Sequence, residues 1–172
     1  MNWKGILSCV LCVVMGAALT GCKKSSDTQA PPIGVLTEYN GCKQFQAGSQ
    51  LDGTLQTQMS DCLEFHYNGY STLTLRHINA GFNCCPGEIT AEITFYGNLI
   101  VIIEREQQQA CRCLCLFDLE YEMINLPPQR YTIWVIEPYM EANDQVLEFT
   151  ADLSATNSGS YCRERNYYPW IQ

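Results

Sequence analysis

The stretch ITAEITFYGNLIVII, residues 89–103, decides the fold class. Ile89, Ala91, Ile93 and Phe95 alternate with Thr90, Glu92 and Thr94. A period of two turns one row of side chains to a core and the other to water, as a half-buried strand requires. Leu99 to Ile103 is apolar at every position, the pattern of a central strand covered on both faces. Gly97-Asn98 between the two runs is a two-residue hairpin turn, which sets Tyr96 opposite Leu99.

The same alternation recurs outward from this hairpin. Leu63, Phe65 and Tyr67 alternate with Cys62, Glu64 and His66. Leu73, Leu75 and His77 alternate with Thr72, Thr74 and Arg76. Phe117, Leu119, Tyr121 and Met123 alternate with Asp118, Glu120 and Glu122, and Leu147, Phe149, Ala151 and Leu153 with Glu148, Thr150 and Asp152. No long stretch repeats apolar residues at helical spacing. Turn signals fall between the runs at Asn68-Gly69, Pro127-Pro128 and Asn157-Ser158-Gly159. The expectation is an all-β fold, an antiparallel Greek-key β-sandwich of about seven to eight strands.

Phe117 to Val135 reads strand, Asn125-Leu126-Pro127-Pro128-Gln129-Arg130-Tyr131, strand. This resembles the "Leu-Pro-x-Gly-x-Tyr-Thr-Val" connection of immunoglobulin-like and transthyretin-like extracellular sandwiches. The resemblance implies that Leu126 caps the core and that Tyr131 opens the next strand with its hydroxyl tied to nearby backbone. Gln129 stands where that connection usually has glycine.

The amino terminus addresses the chain to the cell envelope. Lys4 is followed by an uncharged apolar run from Ile6 to Leu19, shorter than the roughly 20 residues a permanent membrane helix needs. Its length and flanks are those of a signal peptide. Leu19-Thr20-Gly21-Cys22 resembles the lipobox of bacterial lipoproteins, which implies cleavage before Cys22 and a lipid on that cysteine. The implied organisation is a leader over 1–21, a lipidated cysteine and tether over 22–32, and one domain over 33–172. The tether is polar and ends in Pro31-Pro32, a composition that cannot bury enough apolar surface to fold. Ten such residues reach about 35 Å when extended and about 17 Å as a coil. Lys23 stands where enterobacterial inner-membrane lipoproteins carry an aspartate, so the resemblance favours the outer membrane. In layout the chain resembles cysteine-rich lipoproteins of the Bacteroidota kind, a likeness that implies no particular activity.

The chain has 11 cysteines. Cys9 and Cys12 fall in the leader and Cys22 at the lipidation site. Cys42, Cys62, Cys84, Cys85, Cys111, Cys113, Cys115 and Cys162 remain, an even set in an oxidising compartment, which reads as a disulfide framework. Counting back from Tyr96 opposite Leu99 sets Cys84 opposite Cys111, within disulfide reach. This pair is the expectation, and Pro86-Gly87 is where a bulge would break the count. Cys85 then takes Cys113 or Cys115. The competing reading uses the Cys84/Cys85 and Cys111/Cys113/Cys115 thiols as a zinc or iron–sulfur site, or for redox chemistry. The spacing departs from a zinc ribbon, and beyond the leader there is no C-x-x-C.

Little else points to chemistry. The 172 residues carry 18 acidic and 10 basic side chains, a net charge of -8. No basic stripe exists to neutralise phosphates, which argues against nucleic acid as partner. No nucleophile elbow, phosphate-binding loop, dinucleotide fingerprint or metalloprotease motif occurs, and neither a cofactor nor a catalytic residue is expected. His77 shares the inward parity of Leu73 and Leu75 and reads as a hydrogen-bonded strand residue. Asp118, Glu120 and Glu122 form an acidic stripe, read as a solvated face in preference to a calcium site or a hydrolase's carboxylates. Tyr167-Tyr168-Pro169-Trp170, with Tyr161 nearby, is a candidate ligand contact, set against the simpler reading that the tail closes an edge and buries its rings. The function expected is a non-enzymatic, lipid-anchored interaction or structural module whose partners are the membrane, through Cys22, and an envelope protein or glycan.

Overall fold

The computed structural model describes residues 29–43, 60–140 and 146–170. The expected leader, the expected lipidation site Cys22 and the expected tether up to residue 28 lie outside the described residues. Among the described residues the fold is all-β, with nine strands: β1 Ile33–Tyr39, β2 Ser60–Tyr67, β3 Leu73–Asn83, β4 Ile89–Tyr96, β5 Leu99–Glu106, β6 Leu114–Ile124, β7 Arg130–Ile136, β8 Leu147–Asp152 and β9 Ser158–Glu164. They form a five-stranded sheet, β1-β6-β3-β2-β9, and a four-stranded sheet, β4-β5-β7-β8. The two sheets close on one core as a β-sandwich.

The nine strands are one or two more than expected, and the two that the alternation did not reveal are the edges of the five-stranded sheet. β1 (IGVLTEY) and β9 (SGSYCRE) are mostly exposed on both faces, so their sequences carry no clear alternation. The second departure is that β5 and β7 run parallel, whereas every other pairing is antiparallel. After β5 the chain crosses to the other sheet as β6 and returns as β7. Two reversals restore the original direction, so β7 lies alongside β5 in parallel. Such non-consecutive neighbours separate this wiring from a simple meander.

The 89–103 hairpin forms as expected, with Tyr96 opposite Leu99 and the same register held to Ile89 opposite Glu106. Gly97 has φ +61, the left-handed value that the first position of a II′ turn demands. Leu126 is 1 % exposed, and the Tyr131 hydroxyl donates to the Pro127 carbonyl at 3.2 Å. The 125–131 connection therefore does what its resemblance implied. Its left-handed residue is Asn125, φ 62, and Gln129 instead reaches Asn98 through its side chain.

β3 carries the irregularity that matters most. Its pairing with β6 shifts between Ile78 and Ala80, and Asn79 sits at φ 68. One extra residue flips parity: Leu73, Leu75 and His77 face the core before the bulge, Ala80 and Phe82 after it.

The turns at 68–72, 97–98, 125–130 and 153–157 gather at one end. Leu126 donates to Ser71, Thr132 to Asn98, Leu153 to Gln129 and Tyr67 to Asn157, all backbone to backbone. The chain enters at this end too, where Asn125 donates to the Pro31 carbonyl. The other end carries the charges and cross-links described next.

Candidate functional site

Four inward rows end on a charged residue at the cross-linked end. Asp61 precedes Leu63 and Phe65 on β2, His77 follows Leu75 on β3, Glu104 follows Ile102 on β5, and Glu137 follows Val135 just past β7. Each continues the alternation that places its neighbours in the core, so each is delivered between the sheets. Arg165, one residue beyond β9, joins them. None is more than 4 % exposed.

The cluster is tightly bonded. His77 Nε2 lies 2.6 Å from Asp61 Oδ1, and Nδ1 lies 2.6 Å from Glu104 Oε1. Tyr121 donates to the same Glu104 oxygen at 2.5 Å. Arg165 donates to Asp61 through Nε at 2.9 Å and also through a terminal nitrogen, which reaches Glu137 Oε2 at 3.0 Å. The Gly81 amide donates to Glu137 Oε1 at 3.3 Å. Trp170 covers the assembly, with the Arg165 guanidinium 5.7 Å from its ring centre and its indole N–H donating to the Asn79 carbonyl at 2.9 Å.

Charge organises these groups. Burial alone would push the His77 pKa down, but Glu104 and Asp61 outweigh it and hold the imidazole well above its ordinary value. Burial raises Asp61, yet His77 and Arg165 bring it below the usual carboxylate value. Burial and the neighbouring Asp61 push the Glu137 pKa well above the usual carboxylate range. Asp61 stands between the His77 ring, drawn toward its protonated form, and the Arg165 guanidinium. Asp61, His77 and Glu137 place ligand-type atoms within 4.8 Å of one another. Arg165 already bonds both carboxyl groups there, so a divalent cation would have to displace or tolerate its charge.

The cysteines pair as Cys42–Cys115, Cys62–Cys162, Cys84–Cys113 and Cys85–Cys111. The expected Cys84–Cys111 bridge is corrected, together with the Cys85 partners that followed from it. Cys84 answers to a different strand pair from the hairpin. The β3–β6 register after the Asn79 bulge sets Phe82 opposite Cys115 and Asn83 opposite Leu114; one step further sets Cys84 opposite Cys113, whose carbonyl accepts from the Cys84 amide. The hairpin register is lost at Pro86-Gly87, where Gly87 adopts φ +68 and Gln108 bonds the Pro86 carbonyl. Asn83 ties the neighbourhood together: its side chain accepts from the Cys85 and Cys111 amides and donates to the Cys111 carbonyl. Cys62 and Cys162 are directly opposed on β2 and β9.

The aromatic tail divides. Trp170 is 2 % exposed and packs its ring on Gly81, so it is corrected from a ligand contact to a core residue. Tyr167 is half-buried with its ring edge-on to Trp170. Tyr168 is 50 % exposed, and its hydroxyl donates to the Leu114 carbonyl. Of the acidic stripe, Asp118 is ion-paired with Lys43 at 2.5 Å and Arg76 at 3.7 Å, and Glu122 is exposed.

A hollow of 340 Å³ opens at the turn-rich end, lined among others by Pro31, Pro32, Phe95, Leu126, Pro127 and Tyr131. Tyr70 and Tyr96, 82 % and 65 % exposed, project from turns of the same end. The buried charge cluster escaped the sequence reading, although carrying each alternating row two residues further would have found Asp61, Glu104 and Glu137. No protein-family model, curated protein or solved structure matches this chain.

Proposed function

We propose that this chain is an exported, lipid-anchored module of the bacterial cell envelope that works by binding rather than by catalysis. The observation that carries the reading is that all eight cysteines beyond Cys22 are paired with one another. Such a framework persists where thiols are oxidised, outside the cytosol. It agrees with the leader and the lipobox-like Leu19-Thr20-Gly21-Cys22. The strongest titratable cluster supports a structural role, since a substrate has no route to groups sealed at 4 % exposure or less. Contact with an envelope protein or glycan falls to the turn-rich end, where Tyr70, Tyr96 and the proline-lined hollow offer apolar and aromatic surface.

Two measurements test this. Cells fed a clickable fatty acid should label the wild-type chain, and Cys22→Ser should abolish both the label and sedimentation with membranes. A photo-crosslinker at Tyr96 should capture one envelope component that the same group at His66, exposed on β2, does not. Equal capture at both positions, or a chain that keeps its leader and stays unlabelled, overturns the reading.

A further inference from the structure

Three of the four disulfides crowd one end of the sandwich, and two lie side by side. The sulfurs of Cys42, Cys84 and Cys115 all lie within 4.8 Å of one another, although Cys84 is bonded to Cys113 and the other two are bonded to each other. The contact follows from the ladder. Cys113 and Cys115 are two residues apart in chain and so share a face, and Cys84 sits opposite Cys113 in the register that sets Phe82 opposite Cys115. Exposure differs sharply along the set. Cys113 is exposed beside the exposed cation Arg112, Cys42 and Cys84 are half-buried, and Cys115 is 4 % exposed within the core cluster.

We propose that the Cys84–Cys113 and Cys42–Cys115 bridges form a thiol–disulfide relay, entered at Cys113 and left at Cys42. An external thiolate attacks Sγ of the exposed Cys113, and the neighbouring Arg112 favours the approach of the anion. A bond forms between the incoming sulfur and Cys113 as the Cys84–Cys113 bond breaks, and the electron pair leaves on Cys84 Sγ. That thiolate lies within 4.8 Å of both sulfurs of the second bridge. It attacks Cys115 Sγ, which forms Cys84–Cys115 and expels Cys42 as the thiolate. The opposite choice would leave the charge on Cys115 in apolar surroundings, which disfavours a thiolate. A second external thiol resolves the mixed disulfide at Cys113. In sum, two external thiols become one disulfide, and the protein gains two thiols, at Cys42 and Cys113. Electrons enter at the β3–β6 ladder, and the cross-link that opens is the one pinning the segment after β1 to β6. The relay goes beyond the binding role proposed above and does not depend on it, since it needs neither the anchor nor a partner.

The test uses the oxidised chain treated with graded reduced glutathione, acid-quenched, alkylated and digested without reduction for linkage mapping by mass spectrometry. The expected map has alkylated Cys42, glutathione or alkyl label on Cys113, and a Cys84–Cys115 peptide. Removing the entry bridge with Cys84→Ser/Cys113→Ser should slow alkylation of Cys42 about tenfold. Free Cys84 and Cys113 with Cys42–Cys115 intact would overturn the relay, as would equally fast Cys42 labelling in the double variant. Should that variant fail to fold, the wild-type linkage map decides by itself.

Discussion

His77 faces a carboxyl oxygen from each ring nitrogen, both at 2.6 Å, and these two acids hold its pKa well above the ordinary value, toward the form whose two N–H groups can serve both partners. Its worth lies in what it neutralises. His77→Leu takes from Asp61 and Glu104 the ring that bonds them both, and should cost about 3–5 kcal/mol, read from urea unfolding. Its neighbour Gly81 is held by space rather than by its own backbone angles. A Cβ there would sit 2.7 Å from the Trp170 ring. Gly81→Val should push Trp170 outward, shift tryptophan emission to the red and cost about 1–3 kcal/mol by overpacking. His77's inward position was legible from its parity with Leu73 and Leu75; its partners come from β2 and β5, whose approach no local pattern announces.

At the scale of the strand, the Asn79 bulge does two jobs. It moves β3 from the parity of His77 to that of Phe82, and it sets the register that joins Cys84 to Cys113. The asparagine suits the position: φ 68 is tolerated best by glycine and asparagine. Its side chain donates to the Ser60 carbonyl and accepts from Lys43 at 2.7 Å each. Asn79→Ala should lose about 1–3 kcal/mol in thermal unfolding, and Asn79→Gly should recover only the backbone part of that loss. The 97–98 turn shows the opposite case. Its register was readable because two residues fix both strands, and it held to Glu106. Extending the count through Pro86-Gly87 failed because a turn controls register only as far as the ladder is unbroken.

For the whole molecule, the buried cluster couples stability to pH. Glu137 and His77 both have folded pKa values raised above their unfolded ones, so the native state binds more protons than the unfolded state above about pH 4.5. That part of the stability is present at lower pH and falls as pH rises. Asp61 is depressed, and its contribution is lost as pH drops below its unfolded value of 3.8. Stability should therefore be higher near about pH 5 than near about pH 8, and Glu137→Gln should flatten the slope, as thermal melts across that range can show. The Cys62–Cys162 bridge, whose ends are 100 positions apart in sequence, restrains the unfolded chain across β2 to β9. Cys62→Ser/Cys162→Ser should cost about 2–4 kcal/mol.

The period-two runs from Leu63 to Leu153, the Gly97-Asn98 turn and the Leu126–Tyr131 connection by themselves determined an all-β sandwich, since alternation and turn chemistry act between residues close in sequence. The even cysteine count likewise announced a cross-linked domain. Partners were decided only in three dimensions: Cys84 with Cys113, Asp61 with Arg165, Trp170 against Gly81, β5 alongside β7. Each depends on how strands distant in sequence are brought side by side, and one inserted residue, as at Asn79, reverses every side chain after it while leaving the local pattern almost unchanged.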